Sequence, residues 1–125
     1  MEDSIHKYFQ VGIIQWMSYP QGNPMESLKA ICKDDFFDAI ELKGYGYKNE
    51  EAKRLLEQSH LKVCYGVQPR LLGGKLNPND LDEEGRKKAE ATLIEAVDEA
   101  EYLGAKGIAF LAGKWQPETK EQAYM

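Results

Sequence analysis

The sequence predicts an α/β fold in which four parallel strands, each followed by a helix, form one half of a β/α barrel. Short segments that are apolar or alternate in polarity, as strands do, recur along the chain between amphipathic segments of helical period. Strands that alternate with helices in this way pair in parallel through right-handed connections. The chain has 125 residues, which is half of the roughly 250 residues that eight such units occupy.

The first two units are marked by clear strand and helix-start signals. Residues 11–16 form a short apolar run, typical of a strand that is buried on both faces. A helix is predicted to begin after a loop, because Asn23 can cap it and Pro24 fits its first position. The second strand is predicted at residues 39–43, and Asn49 is expected to cap the helix that follows it.

The last two units follow the same order. We predict the third strand at residues 61–67, a long connection at 68–81, a helix at 83–103 with Asp80 at its cap, and the fourth strand at 107–111. The turn residues in the long connection predict a loop there. The predicted apolar stripe of the long helix consists of Ala89, Leu93, Ala96, Val97, Ala100 and Leu103.

Alternation along the second strand favours a barrel over an open sheet that has helices on both faces. Ile40 and Leu42 share one face of this strand, whereas Glu41 and Lys43 share the other. In an open sheet, Glu41 would lie under helices and would need a specific partner. In a barrel, inward polar groups belong near the carboxyl ends of the strands. We therefore expect Glu41 to face away from the helices, and pairing with a nearby cation inside the sheet is the alternative.

Charge and composition narrow the classes of partner. The net charge of −5 argues against a nucleic-acid backbone, which attracts basic surfaces. No segment approaches the roughly 18 consecutive apolar residues of a membrane span, and residues 1–10 lack the apolar core of a signal peptide. Cys32 and Cys64 lie in apolar segments, so we expect reduced core thiols and a cytoplasmic protein that binds neither nucleic acid nor membrane.

Polar and aromatic residues gather where the predicted strands end, which is the edge at which β/α folds place their chemistry. These residues suit a hydroxylated or anionic small molecule. The candidate substrate-binding residues are Gln15, Trp16, Glu41, Lys43, Gln68, Arg70 and Lys114. A metal site needs three or four converging ligands. Glu41 is the only carboxylate at these ends, and His6 and His60 lie on the amino side. We therefore expect neither a metal site nor a catalytic residue within this chain.

Four segments together are similar to a known family. They are VGIIQW, DAIELKGYG, EAKRLLEQSHLKVCYG and EATLIEAVDEAEYLGAKGIAFLAGK. This pattern resembles the amino-terminal half of the sugar phosphate isomerase/epimerase family, within the xylose isomerase-like TIM barrel superfamily. The resemblance covers roughly residues 8–120. It implies an enzyme that uses a divalent metal to move a proton between neighbouring carbons of a carbohydrate.

The family's metal ligands, Glu, Asp, His and Glu, come from the second four strands, so the resemblance places the metal in the complete barrel and not in this chain. Related endonucleases also use histidines at the ends of strands three and four. Residues 68–70 and 112–114 contain none, which counts against a DNA-repair enzyme. We expect the substrate-pocket half of a metal-dependent sugar or sugar-phosphate isomerase or epimerase. A non-catalytic half-barrel that binds small molecules or serves assembly is the alternative.

Residues 1–125 are expected to form a single domain, and a helix predicted from Glu118 onward indicates truncation within a barrel. Four parallel strands leave two open edges with unpaired N–H and C=O groups. The uncovered face is expected to carry apolar side chains such as Val63, Tyr65 and Ile108, or their alternates. The expected partner, besides a carbohydrate, is the missing carboxyl-terminal half or a second copy of the chain.

Overall fold

The computed structural model describes residues 5–113, so Lys114 and the predicted fourth helix lie outside the described residues. The strands are β1 (Gly12–Ile14), β2 (Ala39–Lys43), β3 (Lys62–Gly66) and β4 (Gly107–Ala109). The helices are α1 (Gln15–Ser18), α2 (Pro24–Lys33), α3 (Glu50–Gln58), α4 (Gln68–Gly73) and α5 (Glu83–Tyr102), and a short 3-10 helix at Ile5–Lys7 precedes β1.

The four strands form one parallel sheet in the order β1-β2-β3-β4, which confirms the predicted α/β class and strand arrangement. One row across the sheet joins Ile14 to Glu41, Glu41 to Cys64, and Cys64 to Gly107. Each strand thus lies beside its neighbour in the sequence, as in half of a β/α barrel. Within residues 5–113 the sheet is open and not closed on itself.

The core lies between the helices and one face of this sheet. Ile40, Leu42, Val63 and Tyr65 are at most 5% exposed and project from β2 and β3 into the helical layer. The helical residues buried with them are Leu28, Ile31, Ala52, Leu56, Leu71, Ala96 and Ala100. Because side chains alternate along a strand, burial of Ile40 and Leu42 under the helices places Glu41 on the opposite face, as predicted.

The opposite face, called here the inner face, carries small and polar residues on β2 and β3 and Ile14 on β1. On β3 it is formed by Cys64 and Gly66, so of the two expected alternatives it is the alternates of Val63 and Tyr65 that lie on this face. The reason is that the large side chains of β3 provide the apolar area that the helices cover. Ile108 shares the helical face and is 38% exposed at the edge of the sheet.

The two asparagine caps are confirmed, whereas the cap of the long helix is different from the prediction. Asn23 and Asn49 each accept a backbone N–H in the first turn of α2 and α3. Asp82, rather than Asp80, caps α5 by accepting the backbone N–H of Gly85 at 3.0 Å. Asp80 accepts the N–H of Asp82 instead, which fixes the turn before the helix.

Two short helices were not predicted. Residues 15–18 continue the chain beyond β1 as α1, and residues 68–73 form α4 where a loop was expected. The backbone N–H groups of Arg70 and Leu71 both donate to the carbonyl of Val67, and Leu71 is 2% exposed. A helix this short offers too few residues for an apolar period to be visible in the sequence.

Helix α5 buries a narrow stripe. Ala96 and Ala100 lie in the core, but Val97, predicted to share their stripe, is 52% exposed, as is Ile94 at 56%. Val97 directly follows Ala96 and is therefore turned by about 100° around the helix. None of the helices within residues 5–113 has the length and apolar character needed to cross a membrane.

Candidate functional site

The carboxyl ends of β1 and β3 meet through an aromatic contact on the inner face. A Cβ atom at Gly66 would lie 2.8 Å from Cζ3 of Trp16 and would overlap the edge of its indole ring. Only glycine at this position lets the indole lie this close to the β3 backbone. Trp16, in the single turn of α1, is thereby folded over the end of β3 and forms one wall of the candidate site.

Gln68 lies beside this tryptophan. The same Cβ position on Gly66 would be 2.7 Å from Oε1 of Gln68, so the amide and the indole lie next to each other above the glycine. This Oε1 atom is buried, and no hydrogen-bond donor reaches it from the described part of the chain. Buried polar atoms are nearly always paired, so this oxygen and the hydroxyl of Tyr45, which is also unpaired, are exceptions among the described residues.

Strand β2 provides two charged residues of the inner face. Lys43 is exposed and pairs in register with Gly66, while Glu41 is half-buried two residues earlier on the same face. Lys43 borders a small cavity of about 70 Å³ at the start of α2, and Gln15 and Trp16 line the same cavity. We call Trp16, Glu41, Lys43 and Gln68 the inner-face patch.

Gln15, a further predicted residue, belongs to the helical layer. It is 4% exposed, and its Nε2 donates to the carbonyl of Pro24 and to Oγ of Ser27, both at 2.9 Å. The hydroxyl of neighbouring Tyr45 is also buried. Burial raises the pKa of Tyr45 to about 12, and Gln15 opposes part of that rise. Gln15 therefore joins α1 to the start of α2 behind the patch.

Arg70 is likewise held away from the inner-face patch. Its Nη2 lies 3.1 Å from a carboxylate oxygen of Glu95, and its Nη1 lies 3.6 Å from one of Glu99. The same Nη1 donates to the hydroxyl of Tyr65 at 3.4 Å. Burial alone would lower the pKa of Arg70, but the contact with Tyr65 and the two carboxylates outweigh it and raise that pKa. Arg70, a predicted substrate residue, is thus paired with carboxylates of α5, whereas Lys43 is exposed on the inner face.

Glu99, which the sequence did not single out, is the centre of this second group. It is 5% exposed in α5, and its Oε1 accepts the backbone N–H of Tyr45 at 2.6 Å. Its Oε2 accepts the hydroxyl of Tyr65 at 2.6 Å and the N–H of Gly46 at 3.4 Å. Burial and the hydrogen bond to Glu99 raise the pKa of Tyr65 well above its ordinary range.

The described residues do not fit a divalent metal. No three His, Cys, Asp or Glu side chains of residues 5–113 come together as a ligand set. Glu41 is the only carboxylate that the described strands place on the inner face, and Glu99 already accepts three hydrogen bonds and pairs with Arg70.

Both histidines lie at the amino end of β2, opposite to the candidate site. Nδ1 of His6 is 2.9 Å from Oδ2 of Asp38, which also accepts the N–H of Val11 at 2.8 Å. The Val11 hydrogen bond, with the contact to His6, holds the pKa of Asp38 below its usual value. His60 contacts the carbonyl of Phe37 at 2.7 Å. These contacts lie at the end of the sheet where β/α folds place residues that contribute to stability.

Comparison of the chain with protein-family models, with curated proteins and with solved structures found no match. The resemblance to sugar phosphate isomerases and epimerases therefore stays a prediction.

The structure separates the predicted site residues into two groups. Trp16, Glu41, Lys43 and Gln68 share the inner face, whereas the side chains of Gln15 and Arg70 bind partners in the helical layer. Gln15 nevertheless lines the same small cavity as Trp16 and Lys43. The residues that sequence reasoning missed are Glu99 and Tyr65. The position of Glu99 in the sequence could have indicated its role. It lies between the core residues Ala96 and Ala100 of α5, on a face where a charged residue needs a partner.

Proposed function

We propose that this chain is the substrate-pocket half of a β/α-barrel enzyme, and that the complete barrel is a metal-dependent isomerase or epimerase of sugars or sugar phosphates. The observation that carries the proposal is the inner-face patch. An indole, an ammonium group, a carboxylate and an unpaired amide oxygen share the sheet face opposite to the core, at the carboxyl ends of the strands. This is the edge where barrels bind their substrates.

The chemistry of the patch suits a carbohydrate. The indole of Trp16 offers a flat apolar surface for the C–H face of a sugar ring, and Gln68 and Glu41 accept hydroxyl protons. Lys43 is a point charge for a hydroxyl oxygen or a phosphate. The metal that such a reaction uses would bind to the other half of the barrel, since the described carboxylates of this half do not form a ligand set.

The partner in this proposal is a second half-barrel, either downstream in the same polypeptide or in a second copy. The edge strand β4 supports it, because all three of its residues are exposed, unlike those of β3. A neighbouring unit would cover Ile108, together with Ile94 and Val97 of α5. We also propose a cytoplasmic location, because both cysteines are free thiols.

A titration followed by two-dimensional NMR tests the patch on this chain. An aldose, a ketose and their phosphate esters are added separately, with inorganic phosphate as a control for charge alone. We expect shifts at the indole N–H of Trp16, the side-chain amide of Gln68 and the backbone of Lys43. Half a pocket binds weakly, at a Kd of about millimolar.

Two matched lysine variants test whether the phosphate esters bind at Lys43. Lys43→Gln is expected to weaken binding of the phosphate esters, whereas Lys62→Gln, at the exposed amino end of β3, leaves it unchanged. Shifts confined to the helical layer, or none with any sugar up to solubility, would overturn the proposal.

A specific observation favours the second candidate, a non-catalytic half-barrel that binds an apolar small molecule. A cavity of about 470 Å³ lies between α4 and the end of β4, and half of its lining residues are leucines, among them Leu71, Leu76 and Leu111. Pockets for small molecules are of this size and mostly apolar. Enhanced fluorescence of an apolar dye that is lost in Leu76→Glu but kept in Leu81→Glu would support this candidate, and equal loss in both variants would count against it.

A further inference from the structure

The carboxylate of Glu99 occupies a complete anion cradle. Two successive backbone N–H groups, those of Tyr45 and Gly46, donate to its two oxygens, and the hydroxyl of Tyr65 and the guanidinium of Arg70 reach Oε2. Successive N–H groups and a guanidinium are the groups that proteins use to bind anionic ligands. Here the anion belongs to the chain itself.

The cradle is built on the segment that leaves the inner-face patch. Only Gly44 separates Lys43 from Tyr45, and Gly46 follows directly. A Cβ atom at Gly44 would lie 2.6 Å from Cζ of Tyr65 and would overlap the Glu99 carboxylate. The chain after β2 therefore packs directly against the Glu99–Tyr65 pair, and its path depends on that pair.

We propose that Glu99 is the positioning residue of the carboxyl-end site: its buried carboxylate fixes residues 44–46, and with them the direction of Lys43, and it holds Arg70 beside α5. This inference rests on the proposed function only in taking the patch as a substrate site. The proposal also says which residue binds the anionic group of the substrate. Because the cradle is filled from within, a phosphate or carboxylate of the substrate is bound by Lys43 and not by Arg70.

Chemical rescue tests the cradle. In Glu99→Ala three hydrogen-bond donors lose their acceptor and Arg70 loses one of its carboxylate partners. Amide exchange at Tyr45 and Gly46 is then expected to rise on the order of tenfold relative to amides of β2, which corresponds to the loss of one hydrogen bond. Added acetate should enter the empty cradle, slow this exchange again and raise the melting temperature with increasing concentration.

The matched control is Glu95→Ala, one turn earlier on α5. Glu95 also contacts Arg70 but is exposed, so this variant should show neither the local exchange nor the response to acetate. Acetate that stabilises Glu95→Ala or the unmodified chain equally, or Glu99→Ala exchange that rises uniformly along the chain, would overturn the proposal.

A second variant covers the case in which Glu99→Ala does not fold. Tyr65→Phe removes one donor and leaves the carboxylate in place, so exchange at Tyr45 and Gly46 should rise while the core stays protected. Unchanged exchange at these two amides would overturn the assignment. All of these measurements are made without any sugar, so the positioning role can fail while the proposed function stands, and the reverse is also true.

Discussion

Gly66→Ala tests the aromatic wall of the candidate site. The added methyl group would project onto the inner face, 2.8 Å from Cζ3 of Trp16 and 2.7 Å from Oε1 of Gln68. Carbon atoms normally approach no closer than about 3.5 Å, so the indole must move away. Because Trp16 belongs to a single helical turn and is only half-buried, it can swing outward without unfolding the sheet.

The expected cost follows from two opposing effects. Inserting a methyl group into a packed contact costs about 1–3 kcal/mol. Replacing glycine by alanine also restricts the unfolded chain, which returns about 0.4–1 kcal/mol. The net loss of stability at Gly66 is then about 1–2 kcal/mol, and for a chain of this size it lowers the melting temperature by roughly 4–8 °C.

Tryptophan fluorescence and thermal unfolding report this change together. Both are measured in a Trp115→Phe background, so that Trp16 is the single indole. Emission should shift to the red as the ring becomes hydrated. Gly107→Ala is the matched control, because Gly107 lies on the same face of the neighbouring strand and a Cβ atom there meets nothing within 4 Å. An unchanged melting temperature and spectrum in Gly66→Ala would refute the contact.

Other outcomes follow from the same structure. Burial raises the pKa of Tyr45 to about 12. The contribution of its neutral hydroxyl to the free energy of unfolding is therefore fully present below the pKa of the unfolded chain, about 10, and is lost as pH rises towards 12. Chemical denaturation of Tyr45→Phe should therefore show a decrease in the free energy of unfolding between about pH 10 and 12 that is smaller by about 2 kcal/mol than in the unmodified chain. The same dependence of this free energy on pH in both proteins would contradict the prediction. The 125-residue chain should show no isomerase or epimerase turnover with any divalent metal, since its inner face carries Glu41 as the only described carboxylate; turnover above a chelated control would be contrary evidence. In a complete barrel Glu41→Gln should lower turnover, and an unchanged rate would leave Glu41 a structural role. Light scattering at micromolar concentration should show association, because the edge at β4 and residues such as Ile94 are exposed. A monodisperse monomer that melts cooperatively would refute the expectation that this half-barrel needs a partner.

Local patterns in the sequence predicted the architecture well. The strand order and the orientation of Glu41 follow from helix–strand alternation and from the two-residue period of β2. The caps Asn23 and Asn49 were also predictable, because a side chain that caps its own helix acts over two or three residues.

Contacts between distant residues were not predictable in this way. Glu99 is one of several acidic residues in α5, and it is buried only because Tyr45 and Tyr65 reach it from 54 and 34 positions away. The direction of Arg70 depends in turn on Glu99, so its separation from the inner-face patch could not be inferred from strand ends alone. Helix α4 was missed for a related reason, because it buries Leu71 alone.

The sequence of the natural reading frame downstream of the Met125 codon tests the central claim most directly. If the chain is the substrate-pocket half of a metal-dependent barrel, four further strand–helix units follow, and their strands end in the Glu, Asp, His and Glu that the family resemblance implies. A stop codon immediately after Met125 would contradict the enzyme assignment and would favour a half-barrel that binds small molecules or assembles with a second copy.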